Sequence, residues 1–185
     1  FARLRAMAEP MPGGELRRTL ERNWGRDWLK RFERFDVKPI AAASIGQVHR
    51  ALTKDGRDLA VKVQYPGVRE SIDSDVDNLA ALLKVSGLIP EGLDIGPILA
   101  DAKAQLRNEA DYLREAGLLG RYRALLEGDE DFNVPAVEAD LTTPTVLAMR
   151  YAAGAPIEAQ TSASQEARDR IMRLLIDLTL RELFG

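Results

Sequence analysis

The chain has 185 residues, 45% of them hydrophobic and 30% charged, with 26 Lys and Arg against 29 Asp and Glu and a formal net charge of -3. That length suits one domain or two small lobes with a sizeable core, and the mild acidity argues against a nucleic-acid binder held by global charge. The absence of Cys excludes disulfides, thiol catalysis and cysteine-ligated zinc or iron–sulfur sites, and a reducing compartment is expected.

From Pro12 to Phe35 the pattern is helical, with Leu16, Leu20, Trp24 and Trp28 at four-residue steps. Gly25 interrupts it and predicts two short helices. Pro39 to Leu52 is small and β-leaning, Lys54-Asp55-Gly56-Arg57 supplies a hairpin turn, and Leu59 to Tyr65 reads as a strand that Pro66-Gly67 ends. Helix returns from Val68 to Val85, where Ile72, Val76, Leu79, Ala80 and Leu83 form an apolar stripe. Asp73, Asp75 and Asp77 lie off that stripe and diverge, so a metal cluster is not expected of them.

A loop carrying Pro90, Gly92, Gly96 and Pro97 precedes one long predicted helix, Ile98 to Glu127. Phe132 to Ala139 and Thr145 to Tyr151 read as a second strand pair turning at Thr142-Thr143-Pro144, with Pro135 marking an edge or bulge. Ala152 to Ser164 is a loop with one helical turn. The last helix, Ala163 to Phe184, is apolar over a wide arc through Ile171, Leu174, Leu175, Leu178 and Leu180, as expected of a buried helix. Two hairpins separated by helices predict an α+β fold, an antiparallel sheet with helices on one side. Nothing approaches the ~20 apolar residues of a membrane span, and no signal peptide opens the chain. Because it begins at Phe1 and stops at Gly185 after a helical run, it reads as part of a longer protein.

Three features point to chemistry. The turn Ala41-Ala42-Ala43-Ser44-Ile45-Gly46, followed by Gln47 and Val48, is small enough for its backbone N–H groups to approach phosphate, although a small-residue strand under a helix explains it equally well. Lys62 stands on the opposite strand face from Val61 and Val63, with Ala60 and Gln64 beside it. Such an amine is either a phosphate partner or a solvent-facing lysine. Glu109 interrupts an apolar seam made by Leu99, Leu106 and Leu113 and by Ala102 and Ala116, and a carboxylate there calls for a cationic partner. Asp111 lies roughly 200° further around that helix and pairs locally with Arg107 or Arg114. His49 is read as structural or exposed rather than catalytic. A small-residue loop, a strand lysine and a helix glutamate together form the upper half of a kinase site, with Val146 to Tyr151 leading into the hinge.

The motifs Pro39-Ile40-Ala41-Ala42-Ala43-Ser44-Ile45-Gly46-Gln47-Val48-His49, Val61-Lys62-Val63-Gln64-Tyr65-Pro66-Gly67-Val68, Ser71-Ile72-Asp73-Ser74-Asp75 and Asn108-Glu109-Ala110-Asp111-Tyr112-Leu113-Arg114-Glu115-Ala116 closely resemble the UbiB (AarF, ADCK) family of atypical kinases, especially its coenzyme Q branch. The resemblance covers essentially the whole chain. It implies a protein-kinase-like N-lobe over residues 36–151, a preceding helical segment over 1–35, and the hinge and start of the C-lobe over 152–185.

It further implies an ATP and Mg2+ site. In that reading Ala41, Ala42, Ala43, Ser44, Ile45, Gly46, Val48 and Ala60 surround the nucleotide. Lys62 meets its phosphates and pairs with Glu109. Met149, Arg150, Tyr151 and Ala152 form the hinge. Glu109 and Asp111 make the family's Glu-x-Asp motif, with Asp111 facing an N-terminal Lys-x-Gly-Gln segment that this chain lacks. The catalytic-loop Asp and Asn and the Mg2+-binding Asp are expected beyond Gly185, so this portion alone is expected to be inactive. The resemblance implies support of ubiquinone synthesis, with lipid or quinone precursors and other coenzyme Q proteins as partners. It implies a cytoplasmic or membrane-surface location in a bacterium, or a mitochondrial one in a eukaryote. A non-catalytic nucleotide-gated lipid-binding or scaffold protein is the alternative.

Overall fold

The computed structural model describes residues 10–87 and 93–184. Helix α1 (Gly13–Trp24) buries Leu16, Leu20 and Trp24, the face its periodicity predicts. Gly25 ends it with φ at 85°, where a side chain would be strained. A short 3-10 turn (Trp28–Arg31) follows, and the chain then enters strand β1 (Phe32–Phe35), where the sequence pattern had predicted helix. The strand wins because Phe32 and Phe35 close an aromatic cluster with Trp24 and Trp28, with ring centroids 5.0 to 6.5 Å apart.

Strands β2 (Ala41–Ala43), β3 (Gly46–Thr53), β4 (Asp58–Gln64) and β5 (Val146–Arg150) complete an antiparallel sheet. The order is β1-β3-β4-β5, with β2 and β1 sharing one edge of β3. The predicted Lys54–Arg57 turn joins β3 to β4, and Gly56 takes φ at 84° there. One face of the sheet, through Ala51, Leu59, Val61, Val63, Val146 and Ala148, packs against α1, Trp28 and Phe32 to make the core. The Trp24 indole N–H donates to the Leu141 carbonyl at 2.9 Å and fixes α1 across that face.

Helix α2 (Val68–Val85) has the predicted bounds and buries Ile72, Val76 and Ala80, although Leu79 is 54% exposed. Asp73 and Asp77 hold it to helix α3 (Gly96–Glu109) through Arg107 at 2.5 Å and Lys103 at 2.6 Å, and the Arg107 guanidinium keeps the Asp73 carboxyl below its usual range. Pro90 and Gly92 lie outside the described residues.

Three expectations change here. The single helix from Ile98 to Glu127 is two, α3 and α4 (Tyr112–Leu125). Residues 132–139 form no strand; Val137 bridges to Met149, and backbone bonds run from Glu138 N–H to Ala148 and from Arg150 N–H to Ala136. Pro135 has no N–H to extend that ladder. Helix α5 (Gln165–Phe184) starts two residues later than expected and ends where expected, after a short turn (Ile157–Ser162), yet it buries no residue. Ile176 and Leu180 are half exposed and Phe184 is open to solvent. No helix among the described residues is long and apolar enough to cross a membrane.

Candidate functional site

The sheet face opposite the core carries the candidate residues. Strand alternation sends Val61 and Val63 into the core and leaves Ala60 and Lys62 on the other side. Register then aligns Val48, Lys62 and Leu147 in one row and Arg50, Ala60 and Met149 in the next. Val48, Ala60, Lys62 and Met149 therefore share one face. Arg50 stays on it through a fork to Asp58 at 2.7 and 3.0 Å and lies 4.1 Å over the Tyr151 ring.

The expected Lys62–Glu109 pair does not form. The Lys62 ammonium instead meets both Glu115 oxygens, at 2.8 and 2.9 Å. The cause lies at Asp111. Its backbone is extended, and its side chain accepts the Arg114 N–H at 3.1 Å, so it caps a new helix rather than continuing the old one. Glu115 then sits in the first turn of α4, under Lys62. Glu109 is the last residue of α3 and is exposed. The apolar seam that singled it out is not buried either, with Leu106 36% and Leu113 51% exposed. Asp111 makes no side-chain pair with Arg107, which is engaged by Asp73.

Glu109 still borders the site. A cavity of about 460 Å3 is lined by Ser44, Ile45, Lys62, Glu109, Glu115 and neighbouring side chains of α3 and α4. Ser44 and Ile45 form a two-residue turn between β2 and β3, and neither has positive φ. Gly46 follows them in ordinary extended backbone. Its role is close approach rather than conformational freedom: a Cβ there would run into the Val63 carbonyl oxygen and sit 3.0 Å from its carbon. Ala41, Ala42 and Ala43 form the short edge strand itself.

The residues expected at a hinge divide. Met149 shares the Lys62 face beside Ala60. Arg150 pairs with Leu59 in register, so its side chain leaves that face and meets Glu138 at 2.5 Å. The backbone N–H groups of Arg150 and Tyr151 are taken by Ala136 and Asp58, so neither is open to a base. Ala152 is exposed just past the ladder.

Of the two readings open for His49, structural or exposed, the structure shows a buried side chain with both ring nitrogens paired. It is fully buried, with Nδ1–H donating to the Asp36 carbonyl at 2.8 Å and Nε2 accepting from Gln47 at 2.9 Å. Gln47 in turn accepts the Met11 N–H at 2.9 Å. Burial lowers the His49 pKa, which the nearby Asp36 only partly offsets.

Sequence reasoning missed Glu115 and Tyr112. The available signal was Asp111 before an apolar pair, a helix start set inside a longer helical pattern.

The profile of the ABC1 atypical kinase-like domain matches residues 3–185. The chain is 44% identical over 184 residues to the mitochondrial atypical kinase coq-8 of Caenorhabditis elegans, covering 100% of this chain and 24% of that protein. It is 46% identical over 184 residues to the mitochondrial atypical kinase COQ8B of Rattus norvegicus, covering 100% and 35%. Identity to the probable protein kinase UbiB of Pseudomonas putida is 34% over 156 residues, covering 83% and 28%. The solved Rv3197–erythromycin complex from Mycobacterium tuberculosis superposes with a TM-score of 0.74 at 32% identity, over 90% of this chain and 42% of that one. The chain thus spans 24% to 35% of the length of these curated relatives.

Proposed function

Because the chain belongs to the ABC1 atypical kinase-like family, we propose that it forms the nucleotide-binding part of a UbiB-type atypical kinase or ATPase, with Lys62 meeting the nucleotide phosphates. The observation that carries this reading is the Lys62–Glu115 pair at the rim of the cavity, on the same face as Val48, Ala60 and Met149. The small and apolar side chains of that face suit a flat base, and the paired ammonium suits phosphate oxygens. Mg-ATP, when bound, supplies the phosphoryl group. Lys62 holds its charge, Glu115 orients Lys62, and the Ser44–Ile45 turn bounds the space above. Asp111, half-buried at the start of α4 where it caps the Arg114 N–H, is the side chain we assign to an N-terminal Lys-x-Gly-Gln segment.

For the whole protein, the family resemblance supports a role in ubiquinone synthesis, with lipid or quinone precursors as partners. The relatives named as mitochondrial support that location if the source is eukaryotic.

The test is Lys62→Met in the full-length protein. ADP and ATP affinity should fall at least about tenfold, the scale of a lost charge-assisted contact. Unchanged nucleotide affinity and ATPase activity in that variant would sink the reading. A second reading, nucleotide-gated binding without turnover, draws on the alanine strand and its Ser44–Ile45 turn, where no residue takes positive φ. It predicts wild-type protein that binds ATP with no hydrolysis above the Lys62→Met background.

A further inference from the structure

We infer that Tyr112 is a positioning residue for Lys62, its ring face and the Glu115 carboxylate forming a two-sided seat for the ammonium. The Lys62 Nζ lies 4.6 Å from the Tyr112 ring centroid while it contacts both Glu115 oxygens. Tyr112 is fully buried, so the ring cannot swing away. It is the first residue of α4, immediately after the Asp111 cap, and Glu115 follows three residues on, on the same side of the helix. One short segment thus sets cap, ring and carboxylate together.

The phenol hydroxyl supplies the second observation. It is buried and has no hydrogen-bond partner among the described residues. Such a group is normally paired, so hydrogen bonding does not explain a tyrosine here. What the side chain does offer is an aromatic face, electron-rich and shielded from water, where attraction for a cation is strongest. Burial and the adjacent Glu115 raise the phenol pKa, so the ring remains neutral. A carboxylate alone would let the flexible lysine stem pivot around it. A ring on a second side restricts that motion and leaves the ammonium aimed at the cavity.

The functional consequence rests on the nucleotide reading above; the geometry does not. The experiment uses the full-length protein, labelled at lysine with 13C, with the Lys62 signal assigned through Lys62→Arg. Ring current should move the Lys62 Hε signals upfield in wild type and in Tyr112→Phe, and Tyr112→Leu should abolish the shift. With ADP as the probe, Tyr112→Phe should bind within about twofold of wild type and Tyr112→Leu about tenfold more weakly. An unshifted Lys62 signal in wild type, or Tyr112→Phe behaving as Tyr112→Leu, overturns the inference. If Tyr112→Leu does not fold, wild type and Tyr112→Phe decide it by the same shift. A shifted Lys62 signal with unimpaired ADP affinity in Lys62→Met supports the seat and removes the nucleotide reading instead.

Discussion

Gly46 and His49 show what single positions carry. Gly46 is required because the Val63 carbonyl occupies the space of a side chain, so Gly46→Ala should destabilise the fold by about 1–3 kcal/mol through forced overpacking. Chemical denaturation measures this, and an unchanged midpoint would contradict the close approach. His49 carries a pH dependence. Its folded pKa lies below the ordinary 6.5, so on acidification the unfolded chain takes up a proton that the folded chain resists. Its contribution is therefore complete above the ordinary value and lost as pH falls below it. Between about pH 7 and pH 5.5, wild type should lose more stability than His49→Gln in urea titrations. Parallel losses in the two proteins would refute this. At this scale much was legible: alternation along Leu59 to Gln64 placed Lys62 opposite Val61 and Val63. Its partner was not legible, because which glutamate arrives depends on where a helix starts.

That start belongs to the element scale. The residues from Ile98 to Glu127 satisfy a helical pattern throughout, and pattern alone does not register a break. One aspartate side chain outcompetes helix continuation at Asp111, and Ala110, fully buried, gives its carbonyl to Gln64 at 3.1 Å. Asp111→Ala should cost about 1 kcal/mol of stability, the usual worth of an N-cap, whereas Asp111→Asn should retain most of it. Thermal unfolding separates the two, and equal melting temperatures for both variants would contradict the capping role. The same limit explains β1. Trp24 and Trp28 carry a helical spacing, yet Phe32 leaves it to pair with Thr53, because long-range aromatic packing overrides the local period. Hairpin and helix bounds set by Gly56 and by Val68–Val85 needed no such partner and were readable directly.

Across the whole molecule, the α+β plan followed from element order, but helices cover both sheet faces rather than one, α1 over Val61 and Val63 and α4 against Lys62, and the burial expected of α5 is absent. Ile171, Leu174 and Leu178 are half-buried, but Leu175, Ile176 and Leu180 are open, and polar ties run from Arg170 to Asp131 at 2.6 Å, Arg181 to Asp129 at 2.7 Å and Tyr122 to Glu182 at 2.7 Å. Exposed faces of this kind associate. The 185-residue chain should therefore self-associate in sedimentation experiments, and Ile176→Glu with Leu180→Glu should suppress it while the sheet stays folded. Monomeric wild type would refute that expectation. The clasp from Trp24 to Leu141 spans 117 residues of sequence. A contact so distant cannot form early, because loop closure must precede any gain from it. The β3–β4 hairpin can assemble from neighbours, but the α1 side of the core must wait for the chain to return from α2, α3 and α4. During synthesis, Trp24, Trp28 and Phe32 would emerge long before the strand that completes their shelter, and that interval is when this fold is most open to misassociation.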